Sequence, residues 1–224
     1  MQEVIVITEG QTEEAFIKQV VAPFFHAQQI YLKPFLMKTS SSAKGGAINF
    51  DRLKLNVRNT LRNNPDIILT TFLDLYGLDT SFPNFEAASK KSDLYDRVEA
   101  LEKALHTELV SFVGCRPERI IPYIQPHEFE GLLFSDVSIL CSIEPDWLIS
   151  APKLQLMRNQ FNSPEHINNS FETKPSKRLE DNLHPKYKKT THGPRISKHI
   201  GINAMENECK HFKQWMDKIR AINL

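Results

Sequence analysis

Residues 3–8 ("EVIVIT") form a short block of apolar and β-branched positions, followed at once by the polar "EGQTEE". So compact an apolar run, with little polar alternation, is the pattern of a strand buried on both faces. Residues 13–25 change period. Phe16, Val20 and Phe24 share one helical face, and Ile17, Val21 and Phe25 lie beside them. This predicts a helix capped by Thr12, with Glu13 and Glu14 in the first turn, where the dipole favours acids, and an end or kink at Pro23. Residues 30–38 read as a second strand, at an edge or bulged because Pro34 has no N–H. A polar loop, "TSSSAKGGA", leads to a helix with Phe50, Leu53, Val57 and Leu61 in step. Residues 66–74 read as the third strand. Residues 92–113 read as a long helix on Leu94, Val98, Leu101, Leu105 and Leu109. Residues 118–126 read as the fourth strand, and "HEFEGLLFSD" as a short helix begun behind Pro126.

The order β-α-β-α-β-α-β places the chain in the α/β class, with a mostly parallel sheet of about four strands flanked by helices. After Ser135 the pattern turns irregular and polar, punctuated by prolines. It closes with a helix over residues 203–219 that buries Cys209, Phe212, Met216 and Ile219. No internal repeat is visible. The reading is a core over residues 1–135 and an irregular or helical extension over 136–224 packed on it as one structural domain.

Composition sharpens this only in places. At 224 residues, 41% hydrophobic and 25% charged, the chain has material for a real core. The net charge of +1 predicts no nucleic-acid partner by itself. Between residues 174 and 199, however, Lys and Arg far outnumber the two acids, Glu180 and Asp181. That stretch reads either as a solvated surface or as a set of phosphate contacts. The three cysteines lie far apart without a CxxC pair, which argues against disulfides and structural zinc. The first residues lack the pattern of a signal peptide, and no apolar run reaches the roughly 20 residues a membrane span needs. The expectation is a cytoplasmic protein.

The chemistry is in the strand ends. In a parallel sheet all strand carboxyl ends meet one edge, where ligands bind. The first strand runs into Glu9, the third into Asp74 with Asp79 beyond it, and the fourth into His127, Glu128 and Glu130. Gathered carboxylates resist ionising beside one another, and a hard divalent cation such as Mg²⁺ or Mn²⁺ relieves that conflict. Such a site suits phosphodiester chemistry. Each acid also has a plainer reading. Glu9 fits a helix start, Asp74 a turn, and Glu128 and Glu130 the first turn of a helix. His127 beside Glu128 suggests acid/base work. Lys44, with Gly45 and Gly46, reads as a phosphate-contacting loop or a plain connection. No P-loop, GxGxxG or GxSxG pattern is present.

The stretches "VITEGQTEEAF", "TFLDLYGLDTSFP", "IPYIQPHEFEGLLFSD", "PEHINNSFETKPSKRL" and "CKHFKQWM" resemble an uncharacterised bacterial family of Toprim-like proteins, a domain of unknown function related in fold to nucleases of the OLD class. The resemblance covers nearly the whole chain. It implies a Toprim-like fold and a Mg²⁺-dependent nuclease site with Glu9, Asp74 and Glu128 as catalytic groups and Glu9, Asp74, Asp79, Glu128 and Glu130 around metal. Where the Toprim pattern has a second Asp, this chain has Tyr76. The resemblance also implies DNA or RNA as substrate, held through Lys44, Lys177, Arg178, Lys188, Lys189, Arg195 and Lys198. It implies an ABC-like ATPase partner and a setting in anti-phage or mobile-element defence. Two other functions fit the same residues: a non-catalytic subunit that binds nucleic acid or the ATPase, and a phosphohydrolase of small molecules.

Overall fold

The computed structural model describes residues 1–37, 48–62, 64–168 and 171–223. The expected parallel sheet is present. Strands β1 (Gln2–Thr8), β2 (Ile30–Leu36) and β3 (Ile68–Asp74) stand in the order β2-β1-β3, and β3 pairs on its far side with two short strands, β4 (Ile120–Ile121) and β5 (Ile124–Gln125). All pairings are parallel. The fourth strand of the sequence reading is thus split at Pro122 and Tyr123. Thr71 bridges the gap: its Oγ1 accepts from the Tyr123 N–H at 2.9 Å and donates to the Tyr123 carbonyl at 2.8 Å. Pro34 lies in β2, an edge strand, where its missing N–H is tolerated.

The first helical stretch comprises α1 (Gln11–Phe16), a π-helical turn (Ile17–Val21) and α2 (Ala22–Phe25). It starts two residues earlier than the apolar period suggests. Gly10, not Thr12, is the N-cap, and Thr12 is buried inside the first turn. Pro23 lies just after the π turn, at the start of α2, and the helix runs on past it to Phe25. The extra residue of the π turn rotates the turn after it, so Phe25 is fully buried and Phe24 only partly. Helix α3 (Phe50–Arg62) buries the expected four residues, and a short α4 (Phe85–Ser89) precedes α5 (Leu94–Val113), capped by Asp93, whose carboxylate accepts from the Asp96 N–H.

The region after Ser135 is not irregular. It holds α6 (Val137–Ser142), α7 (Ala151–Arg158), α8 (Pro175–Asn182), α9 (Lys189–Ile200), α10 (Ile202–Glu208) and α11 (Lys210–Arg220). The expected closing helix is broken at Cys209 into α10 and α11. Most of these helices are short, and prolines punctuate the stretch, so an apolar period rarely runs long enough to stand out in the sequence.

Two apolar layers sandwich the sheet. On one face α3 and α5 pack on Ile7, Leu69 and Leu73. On the other, α1, α2 and the C-terminal helices pack on Val4, Val6 and Phe72. Trp215 of α11 anchors this second layer: it stacks on Tyr123 with centroids 4.8 Å apart and donates from Nε1 to Thr70 Oγ1 at 2.8 Å. Glu165 joins α5 and α11 by accepting from Tyr95 Oη and from the first N–H groups of α11. Among the described residues no helix is long and apolar enough to cross a membrane.

Candidate functional site

The chain enters the sheet at β1, crosses to β2 on one side, and returns to β3 on the other. The strand order therefore reverses between β1 and β3, the place beyond the strand carboxyl ends where parallel sheets form their ligand crevice. Glu9 follows β1 there and Asp74 ends β3. Asp74 shares its side of the sheet with Thr70 and Phe72, the side covered by α1 and the C-terminal layer. Its Oδ1 accepts from the Phe129 N–H at 2.9 Å, which ties β3 to the 3₁₀ segment Phe129–Ser135. Glu128 and Glu130 flank that bond and are buried.

The structure brings together Glu9, Asp74, Glu128 and Glu130, and adds Glu13, which the sequence reading left as a dipole acid. Burial first, then neighbouring carboxylates, raises four of the five. Glu9 is pushed up to about 7 by burial and by Glu13 and Glu128, and Glu130 to about 7 by burial, Glu128 and Glu13. Glu13 is raised by burial, with Glu128 adding to it. Asp74 is held well above the carboxylate range by burial and by Glu13, Glu9 and Glu130. Glu128 is the exception. Burial raises it, but Lys189, the Ser176 N–H at 3.1 Å and Lys174 Nζ at 2.9 Å outweigh burial and keep it ionised.

Lys189 is the counter-charge inside this group. Its Nζ lies 3.2 Å from Glu130 Oε2 and 3.5 Å from Glu128 Oε1. Burial disfavours its charge, but Glu130, Glu128 and Asp74 overcome that and raise it. It reaches the site because α9 lies close on α1 at Gly193. A Cβ there would meet Thr12 Cγ2 at 3.0 Å, and Phe129 Cε1 and Tyr187 Oη at 3.1 Å. Tyr187 Oη in turn donates to Glu130 Oε1 at 3.3 Å.

The remaining candidates separate. Asp79 is engaged elsewhere: its Oδ1 accepts from the Ser81 N–H at 2.9 Å and from the Ser81 hydroxyl, and its Oδ2 from Asn49 at 3.4 Å, so it shapes the loop against the start of α3. Lys177 pairs with Asp181, Arg178 donates to the Thr173 carbonyl, and Arg195 pairs with Glu144. Lys188 and Lys198 are exposed. Lys44 lies outside the described residues. His127 adopts φ 60°, a left-handed conformation rare for a side-chain-bearing residue, and its pKa is lowered to about 4 by burial, Arg97 and His166. Tyr76, at the position of the second acid, is 44% exposed, with its ring 5.6 Å from that of His127. A cavity of about 830 Å³ lies away from these acids, between α5 and α11.

Whether this donor set suits a divalent cation can be tested on its unused atoms. Glu9 Oε2 is buried and has no hydrogen-bond partner, and neither has the adjoining Thr8 Oγ1. Gly77 makes room for that carboxylate: a Cβ there would collide with both Glu9 oxygens. Among the described residues, no three His, Cys, Asp or Glu side chains form a ready-made metal cage. Mg²⁺ does not require one, since it takes one or two carboxylates and keeps its waters. The oxygen-only donors, the orphaned Glu9 atom and the excess of acid over lysine fit a hard cation. Gly77→Ala is accordingly expected to displace the Glu9 carboxylate and weaken Mn²⁺ binding at least about tenfold while the protein stays folded, as calorimetric titration and circular dichroism would register.

Residues 8–220 match the family model described as Domain of unknown function (DUF4276). The chain belongs to this family. No curated protein and no solved structure matches it. The DUF4276 match takes in Glu9, Glu13, Asp74, Glu128, Glu130 and Lys189, so the whole acidic crevice falls inside the family domain.

Proposed function

We propose that the acidic crevice is a Mg²⁺- or Mn²⁺-dependent site for phosphodiester cleavage in DNA or RNA. The observation that carries this is the meeting of Glu9, Glu13, Asp74 and Glu130, all raised, with one orphaned carboxylate oxygen at the point where the strand order reverses. Glu9 and Asp74 would hold the cation, with Glu13 and Glu130 beside them. When bound, the cation supplies charge stabilisation at a phosphoryl group and lowers the pKa of water. Held beside the cation as a carboxylate, Glu9 would orient the attacking water and accept a hydrogen bond from it. Lys189 holds Glu130 and Glu128 in place and adds a positive charge that can face a phosphate oxygen. Glu128, bonded to Lys174 and Ser176, positions Lys189. The resemblance to Toprim-like proteins supports the same reading, and with it an ATPase partner and a role in defence.

The test is titration of Mn²⁺ and Mg²⁺ into the parent and Asp74→Ala, followed by cleavage assays on single- and double-stranded DNA and RNA. Asp74→Ala is expected to lose metal binding and to lower cleavage on the order of a thousandfold. Equal cleavage by parent and variant would remove the assignment. A second reading, a binding subunit without turnover, is favoured by two observations: Tyr76 stands where an acid is expected, and Lys189 already neutralises part of the cluster. Salt-sensitive nucleic-acid binding with no cleavage in Mn²⁺ would decide for it.

A further inference from the structure

Beside the carboxylates, around Tyr76, lies a set of donors that includes two enclosed nitrogens the fold leaves unused. Arg97, on α5, is half-buried, and its Nε is enclosed without a hydrogen-bond partner. Its guanidinium forms no ion pair among the described residues. His166 stands edge-on to Tyr95 with centroids 4.8 Å apart, and its Nδ1 is likewise enclosed and unbonded. Asn168 adds an amide, with its Nδ2 3.2 Å from His127 Nδ1 and in contact with Tyr76 Oη. The His127 and Tyr76 ends of this group are physically joined: Tyr76 N–H donates to the His127 carbonyl at 3.2 Å, and the His127 ring packs against Tyr76. Arg97 acts electrostatically on both His127 and Tyr76, and His166 on His127, which puts these charges within reach of the joined His127 and Tyr76 pair. Glu128 closes the group on the side of the acidic crevice.

A guanidinium taken partly out of water without a carboxylate is unfavourable unless an anion completes it. Its planar fork matches phosphate, and the unbonded imidazole nitrogen of His166 extends the match. The strained backbone at His127 holds that ring beside Tyr76, as strained residues at binding sites do. Tyr76 itself presents an exposed aromatic face at the mouth, a surface on which any base can stack. We propose that Arg97 and His166, with Asn168 holding the His127 and Tyr76 rings in place, form a phosphate subsite around Tyr76 that holds one phosphodiester of a single nucleic-acid strand next to the acidic crevice, with Tyr76 as the stacking surface for an adjoining base. The identity of the strand rests on the proposed function; the phosphate subsite does not. In this arrangement the exchange of an acid for Tyr76 replaces a metal ligand with a substrate contact.

The experiment uses the full chain in EDTA, so that binding is read without turnover. Inorganic phosphate is titrated while the histidine ring signals are followed by NMR, and labelled 12-nucleotide single strands of DNA and RNA are titrated by fluorescence anisotropy. In the parent, phosphate is expected to shift the His166 and His127 signals. Arg97→Gln should weaken both phosphate and strand binding about tenfold or more, and Arg97→Lys should recover part of it. Tyr76→Ala should weaken strand binding alone. Unmoved ring signals in the parent, or parent-like binding of both probes by Arg97→Gln, overturns the subsite. Arg97-dependent phosphate binding with no affinity for either strand overturns the nucleic-acid assignment. Absence of cleavage in every metal-containing assay counts against the proposed function and leaves an Arg97-dependent binding result standing.

Discussion

Lys189→Met is expected to destabilise the metal-free protein by about 3 kcal/mol at pH 8, and by much less at pH 5. The lysine lies 3.2 Å from Glu130 and 3.5 Å from Glu128, whose side chains are only 1% and 5% exposed. Removing it leaves two enclosed carboxylates with less compensation. The figure stays at the low end for a broken buried pair because Lys189 is itself 40% exposed and partly screened by water, and because Lys174 still serves Glu128. The pH dependence identifies the cause. Without the lysine, Glu130 is held even further above its ordinary range, so at pH 5 it is neutral in the fold and its burial is nearly free of penalty. At pH 8 it must either ionise uncompensated or hold a proton that the unfolded chain has lost. Urea denaturation of parent and variant at both pH values checks this. A loss equal at pH 5 and pH 8 would assign the effect to the pair with Glu128, which is held ionised, and not to Glu130.

Glu9→Gln is expected to stabilise the metal-free protein at pH 8 by about 1–3 kcal/mol, roughly 3–10 °C in Tm, while abolishing Mn²⁺ binding. Glu9 is pushed to about 7 in the fold, against 4.5 in its ordinary state. The sign depends on which state releases its proton first. Below pH 4.5 both states are protonated, and the fold keeps its full stability. Between pH 4.5 and 7 the unfolded chain ionises while the folded one does not, so stability falls. Beyond pH 7 both are ionised and the loss levels off. Glutamine keeps the shape and removes the titration. Calorimetric melting in EDTA from pH 5 to 8.5 should therefore show a falling Tm for the parent, a flatter profile for Glu9→Gln, and curves that converge near pH 5. Parallel curves would show that Glu9 is not a titrating group of this crevice. A residue whose removal stabilises the fold while its binding partner is lost is held there for binding, since carboxylate repulsion of this kind contributes nothing to folding.

The two substitutions probe opposite sides of one balance. The crevice holds more acid than Lys189 neutralises, and the remainder is what a cation would meet. Glu102 and His211 form a contrasting case on the far side of α5. Glu102 accepts from the Ile124 N–H and lies 2.8 Å from His211 Nε2, so that carboxylate is matched within the fold.

Much of this protein is legible from its one-dimensional pattern. Strands β1, β2 and β3 and helices α3 and α5 emerge from apolar runs and helical spacing, because burial on a regular element repeats with the element's own period. The parallel order comes from the alternation of strands and helices. Glu9, Asp74, Glu128 and Glu130 stand out by their places at strand ends, since topology brings those ends to one edge whatever lies between them. Glu13 escaped because a glutamate in a first helical turn is what the dipole favours anyway. What turned it inward was the enclosure of that turn by α9, a long-range contact without local trace. Lys189 stands in a basic stretch and reads as one of its surface charges, yet the approach of α9 to α1 at Gly193 sends it into the acids, where Lys174 also reaches Glu128. Helices α6 to α9 are hidden by their shortness and by neighbouring prolines, whereas the closing helix is legible, and Asp79 is drawn away by two side chains, Asn49 and Ser81, that only the folded loop brings near. Sequence alone determined the sheet, its two apolar faces and the strand-end acids, because each depends on local period and chain order. Tertiary structure decided which charges face one another, because the energy of a buried charge depends on every element packed around it.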